Sequence, residues 1–188
     1  MKTPLLVSLL AAVMALPAHA VERFSLDTRH TFPIFEISHL GFSMQRGRFN
    51  KTDGKVMLDA RSGTGSIDIT IDTASIDMGL EEWDKHMRGE DFFNVEKYPT
   101  MTFKADQVRF SNGVPVAAEG TLTLLGVTRP VKLDISNYRC GPHLLNRKWT
   151  CGAEVTTTLK RSEFGMMKYL PAVGNEVRIA IPVEAFRD

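Results

Sequence analysis

The sequence carries almost no charge of one sign to spare. Lys2 apart, the Lys and Arg residues match the 22 Asp and Glu residues one for one. A nucleic-acid footprint needs a clustered basic excess, so composition argues against that class. Cysteine is nearly missing: Cys140 and Cys151 are the only two, with neither a redox C-x-x-C nor the Cys/His spacing of a zinc site. Histidine is sparse too. Beyond residue 20 there are His30, His39, His86 and His143, and no H-x-x-x-H pair. There is no G-x-S-x-G nucleophile elbow. The glycine-rich Ser62–Ser66 runs into a strand pattern rather than a helix, so it is no phosphate loop. Nothing here calls for a catalytic residue, a metal or a cofactor.

Long apolar runs are also missing, with one exception. Leu5 to Leu16 is such a run, shorter than the roughly 18 residues of a membrane span. Lys2 precedes it, and Pro17 and Ala18-His19-Ala20 follow. That order predicts a secretory signal peptide over residues 1–20, removed to leave one domain over residues 21–188. The expected compartment is the periplasm. No cysteine lies at the cleavage point, which argues against a lipid anchor there. An oxidising compartment favours a disulfide between Cys140 and Cys151. The intervening "GPHLLNRKWT" has the Gly-Pro and Asn of a hairpin loop, which would bring the two cysteines face to face.

What the sequence has in plenty is period-two alternation. Ile67, Ile69 and Ile71 share one side of "SIDITIDT"; Met101, Phe103 and Ala105 share one side of "TMTFKA". Val131, Leu133 and Ile135 do the same, as do Val155 and Leu159, and Val177, Ile179, Ile181 and Val183. Pro182 points the other way and has no N–H, so the last strand is expected to border an irregular pairing. Asp53-Gly54, Asn112-Gly113 and Gly126 read as turns between strands. About eight to ten one-sided strands result, which need either a second sheet or closure on themselves. Closure removes the exposed edges.

One stretch breaks the alternation. In "LEEWDKHMRGEDFF", Leu80, Trp83 and Met87 form one helical stripe. Glu81–Lys85, Glu82–His86 and Asp84–Arg88 are spaced as i, i+4 pairs on the wet face. Asp84 and His86 are two apart and diverge on a helix, which argues against a metal or acid–base dyad. The segment over residues 80–93 reads as a lid over one end of the strands.

Four blocks resemble a known family. Asp27 to Phe49 is similar to the opening of the YceI-like family, with its D-x-x-H and later H-x-G elements. Asp84 to Phe103 resembles its D-x-H-x-x-x-x-F-F and Y-P-x-x-x-F block, Gly120 to Val131 its G-x-L-T-x-x-G-V-T block, and Leu159 to Met166 its R-x-x-F-G element. The resemblance implies an all-β fold, a single antiparallel lipocalin-like barrel of about eight strands. It also implies binding of polyisoprenoid lipids such as isoprenoid quinones, and a link to stress responses. The cysteine pair lies outside that pattern.

The residues expected to line a lipid cavity are Phe35, Ile37, His39, Ile69, Ile71, Phe92, Met101, Phe103, Leu122, Leu124, Val155 and Phe164. His39 joins them because Phe35, Ile37 and His39 share a face of one strand. It would either meet a ligand head group or be bonded within the protein. His30, an odd number of residues away, falls on the other face of an unbroken strand and is a poor joint ligand. Alternation does not report volume, so two readings stay open. One is a carrier whose partner is an isoprenoid lipid. The other is a barrel filled by its own side chains, acting on stress or on a protein partner through its surface. A homodimer and a passing contact with a membrane also stay open.

Overall fold

The computed structural model describes residues 21–188, so the expected signal peptide lies outside the described residues. The strands are β1 (Glu22–Leu26), β2 (Ile34–His39), β3 (Ser43–Phe49), β4 (Thr52–Asp59), β5 (Thr64–Asp72), β6 (Ile76–Asp77), β7 (Thr100–Ser111), β8 (Val114–Leu124), β9 (Val127–Pro142), β10 (Trp149–Lys160) and β11 (Val173–Arg187). One helix, α1 (Glu81–Arg88), stands between β6 and β7. Eight strands close a ring in the order β1-β4-β5-β7-β8-β9-β10-β11, and β11 returns to β1. Every pairing is antiparallel. The expected barrel is therefore present.

The ring forks at β11. Its first half pairs with β2, from Val173 opposite His39 to Ala180 opposite Ile34. Its last residues pair with β1, from Ala185 opposite Leu26 to Arg187 opposite Phe24. Pro182 sits in the changeover between the two partners, where a missing N–H costs no ladder bond to them. Thr31 and Asp27 hold the fork shut. Thr31 Oγ1 donates to the Glu184 carbonyl (3.0 Å) and accepts from the Glu184 N–H (2.9 Å). The Asp27 N–H donates to the same carbonyl (2.8 Å). β2, β3 and β6 continue the wall at the α1 end.

Turn chemistry explains two of the three expected turns. Asn112-Gly113 and Leu125-Gly126 have consecutive positive φ values (51° and 77°, 52° and 73°), the hairpin turn that matches strand twist. Asp53-Gly54 does not form a turn. Gly54 is inside β4, and a β-carbon there would run into the Asp68 carbonyl and the Ile69 side chain of β5. The glycine answers a close approach of two strands.

Cys140 and Cys151 are directly opposite one another across β9 and β10 and form a disulfide with a Cα–Cα distance of 4.1 Å. Its loop is short, so the chain-entropy contribution is at the low end, about 2–3 kcal/mol. Replacing both cysteines by alanine is expected to lower the melting temperature by several degrees while leaving the barrel's circular dichroism unchanged. Differential scanning calorimetry with and without reductant checks this.

Candidate ligand-binding cavity

The inward faces of the ring do not meet. They enclose a cavity of about 930 Å³ along the barrel axis, near the upper end of the roughly 300–1,000 Å³ range of small-molecule sites. This void excludes the self-filled interior that alternation alone had left open. Its wall is built from the alternating sets: Ile67, Ile69 and Ile71 on β5, Met101 and Phe103 on β7, Leu122 and Leu124 on β8, Val131, Leu133 and Ile135 on β9. Val155 and Leu159 on β10 and Val177, Ile179, Ile181 and Val183 on β11 complete it. Many of these, Ile69, Leu133, Ile135 and Ile179 among them, are only partly buried although they point inward. Their free surface faces the void.

At the far end of the barrel Phe24, 1 % exposed, with Leu58, Val108 and Cys151, forms the closed floor of the cavity. Charged groups gather at the α1 end. Gln45, Glu82, Lys85, His86, Glu90 and Asp91 border the cavity there. This is its mouth, covered by α1, Phe92 and Phe93, and the loop from Phe164 to Val173.

All twelve expected lining residues border the cavity: Phe35, Ile37, His39, Ile69, Ile71, Phe92, Met101, Phe103, Leu122, Leu124, Val155 and Phe164. His39 stands at the mouth, its ring 6.4 Å from that of Trp83. His30 is elsewhere. It lies in the turn after β1 rather than on a strand with His39, and does not border the cavity.

The covering segment is smaller than expected. α1 spans Glu81–Arg88 rather than the whole of residues 80–93, because Leu80 is extended and Gly89 ends the helix. Leu80 is exposed instead of resting on the strands, while Trp83 and Met87 border the cavity. Asp84 is not on the wet face. It is buried, and its Oδ1 accepts the Met78 N–H at 2.6 Å, while Oδ2 lies 3.7 Å from Arg88. A short carboxylate in the first turn finds an unpaired backbone N–H more readily than a surface partner. Glu81 lies 3.4 Å from Arg88, not against Lys85. His86 packs edge-on against Phe92 (5.0 Å between ring centres) and near Tyr169 (6.3 Å).

Sequence reasoning missed the clamp that shapes the mouth. Arg161 is buried, 4 % exposed, with no carboxylate partner among the described residues. Its guanidinium donates to four carbonyls: Nε to Gly174 (2.8 Å), Nη1 to Met166 (2.9 Å), and Nη2 to Lys168 (2.8 Å) and Val173 (3.0 Å). Burial pulls its pKa below the ordinary arginine range, but an arginine remains charged in a protein. The signal was the R-x-x-F-G block itself, which alternation could not interpret.

Asp27, His30 and Glu184 bring three ligand-type atoms within 4.8 Å of one another, outside the cavity. Asp27 already accepts from His30 Nδ1 (2.8 Å) and the Arg29 N–H (3.0 Å). Burial raises the Asp27 pKa, but the hydrogen bonds from His30 and Arg29 outweigh it and the net shift is downward. His30 shifts upward, chiefly through that hydrogen bond. The raised histidine stabilises the fold fully below its unfolded pKa of about 6.5, and this is lost as pH rises through the higher folded value. The depressed carboxylate adds stability above its unfolded pKa of about 3.9, lost as pH falls through the lower folded value. Melting temperature is therefore expected to decline from mildly acidic to mildly alkaline pH. In His30→Ala that decline should flatten; an unchanged profile would assign it to other groups.

Comparison with known proteins agrees with this architecture. The YceI-like domain model matches residues 24–185. The chain belongs to the YceI-like family. Its relatives include a UPF0312 protein of Pseudomonas paraeruginosa, 38% identical over 165 residues covering 86% of this chain and 84% of that one. A UPF0312 protein of Pectobacterium carotovorum is 35% identical over 182 residues, covering 96% and 93%. Among solved structures, a Campylobacter jejuni YCEI protein superposes with a TM-score of 0.67 at 26% identity, covering 81% and 90%. A polyisoprenoid binding domain from Saccharophagus degradans shares the fold, with a TM-score of 0.64 at 16% identity, covering 88% and 98%. The YceI-like family is one of non-catalytic ligand-binding barrels, and this chain is such a barrel with an apolar cavity able to hold a hydrophobic ligand.

Proposed function

We propose that this protein is a periplasmic carrier that holds the chain of an isoprenoid lipid, such as an isoprenoid quinone, in its barrel. One observation carries the reading: a cavity of about 930 Å³ with a largely hydrocarbon wall and its charged groups gathered at the mouth. A flexible alkyl tail makes few polar demands, and Met101, Met78 and Met87 adapt to irregular branched shapes. Each five-carbon unit drawn from water contributes about 3–4 kcal/mol before ordering costs, at roughly 0.8 kcal/mol per CH₂. The head group would rest at the mouth, where His39 and His86 can donate to a quinone carbonyl. The Saccharophagus domain binds polyisoprenoid on the same fold, which supports the reading by analogy. Export follows from the residues 1–20 pattern, and the disulfide fits an oxidising compartment.

Fluorescence titration with quinones of increasing tail length tests the proposal. Trp83 borders the cavity and serves as reporter. Affinity should rise steeply with each added unit and then level off once the cavity is full. Affinity that ignores tail length would contradict it.

A further inference from the structure

The β9–β10 hairpin ends in a tip that the cargo reading does not use. β10 runs from this tip, at the barrel end opposite the mouth, to Lys160 beside it. At the tip, Leu144 and Leu145 are 86 % and 90 % exposed. They are not loose. The His143 N–H donates to the Lys148 carbonyl (2.8 Å), and the Arg147 N–H to the His143 carbonyl (2.9 Å). His143 Nδ1 accepts from the Leu145 N–H (3.2 Å), and Asn146 Oδ1 from the Lys148 N–H (3.0 Å). The disulfide braces the hairpin just below. Two leucines are thus held into solvent by a structured loop.

The charges along the hairpin itself are one-sided. Tyr138 to Ala153 contains Arg139, Arg147 and Lys148 and no Asp or Glu. Among the described residues none of these three cations is ion-paired; the Lys148 ammonium lies over the Phe186 ring at 5.1 Å. The mouth differs. There Arg88 pairs with Glu81 and Asp84, and Lys168 with Asp91.

We infer that this tip docks on the surface of an anionic lipid bilayer. Leucine pairs enter the acyl boundary while flanking cations stay at the phosphate level. A partially exposed tryptophan, Trp149, stands at the base of the loop, a residue type favoured at that depth. A two-stranded tip offers far too little area for a stable protein interface of about 800 Å² per partner. A bilayer needs no complementary shape. The inference goes beyond the carrier reading and does not rest on it, since docking here leaves the mouth free.

Co-sedimentation of the purified protein with vesicles tests it. Vesicles of phosphatidylglycerol mixed with phosphatidylcholine should retain the protein, and pure phosphatidylcholine should retain at least tenfold less. The double variant Leu144→Ser/Leu145→Ser should lower partitioning onto the anionic vesicles at least tenfold, and Arg147→Glu/Lys148→Glu should do the same. All four positions are on the exposed loop, so an unchanged melting temperature verifies the fold. Equal retention on neutral and anionic vesicles overturns the inference, as does full retention of either variant. Quinone titration of the same variants should be unaltered, which separates failure of the tip from failure of the carrier reading.

Discussion

An Ile69→Arg variant is expected to fold and to lose lipid affinity by at least a hundredfold. Ile69 faces the void from the middle of β5, paired with Phe103 of β7. Arginine there places a cation and its long stem in the path of an alkyl chain, which makes the channel hostile to hydrocarbon. The fold tolerates it because the side chain enters empty space and can run along the wall toward the polar mouth. Phe24→Arg is the control. Phe24 is 1 % exposed on the cavity floor, at the end away from the mouth, so an arginine there has no route to the polar mouth and is expected to prevent folding. If Ile69→Arg failed to fold just as Phe24→Arg does, Ile69 would be a packed core residue.

The second large effect concerns Arg161. Removing its guanidinium in Arg161→Ala strands four carbonyls, of Gly174, Met166, Lys168 and Val173, that lose their donor together. Hydrogen bonds from a charged donor contribute about 1.5–3 kcal/mol each, and the loop can recover some of them from water. A net loss of about 3–5 kcal/mol in chemical denaturation is expected. Arg161→Lys should recover only part of it, since an ammonium has three donors and lacks the planar fork. Bound lipid should also dissociate faster from Arg161→Lys, because the clamp holds the loop that covers the mouth. A lysine variant matching the native stability would show that charge alone, without the fork, suffices.

The barrel wall was legible because strand side chains alternate over long runs between bulges. Once Ile69 faces inward, Ile67 and Ile71 must, and each strand then declares its own lining. The ten expected lining positions on strands border the cavity for this reason, while Phe92 and Phe164 reach it from the segments that cover the mouth. Pro182 announced the change of partners along β11 for an equally local reason: a missing donor. What stayed hidden depends on contacts between segments far apart in the chain. Gly54 looked like a turn because Asp-Gly usually is one, and only the approach of β5 explains it. Asp84 looked like one half of a surface pair until the Met78 N–H gave it a better partner. Arg161 showed only as the first residue of the R-x-x-F-G block, since nothing local reveals that the chain from Met166 to Gly174 wraps around it. Cavity volume was hidden most completely, because the same Ile, Val and Leu either interdigitate or stand apart depending on barrel radius.

Native mass spectrometry of the protein purified from the periplasm of its own cells tests the central claim most directly. The account predicts a protein mass plus a lipid adduct, with species spaced by regular five-carbon increments, and loss of the adduct in Ile69→Arg. A bare protein mass, together with no uptake of added isoprenoid quinone, would contradict it.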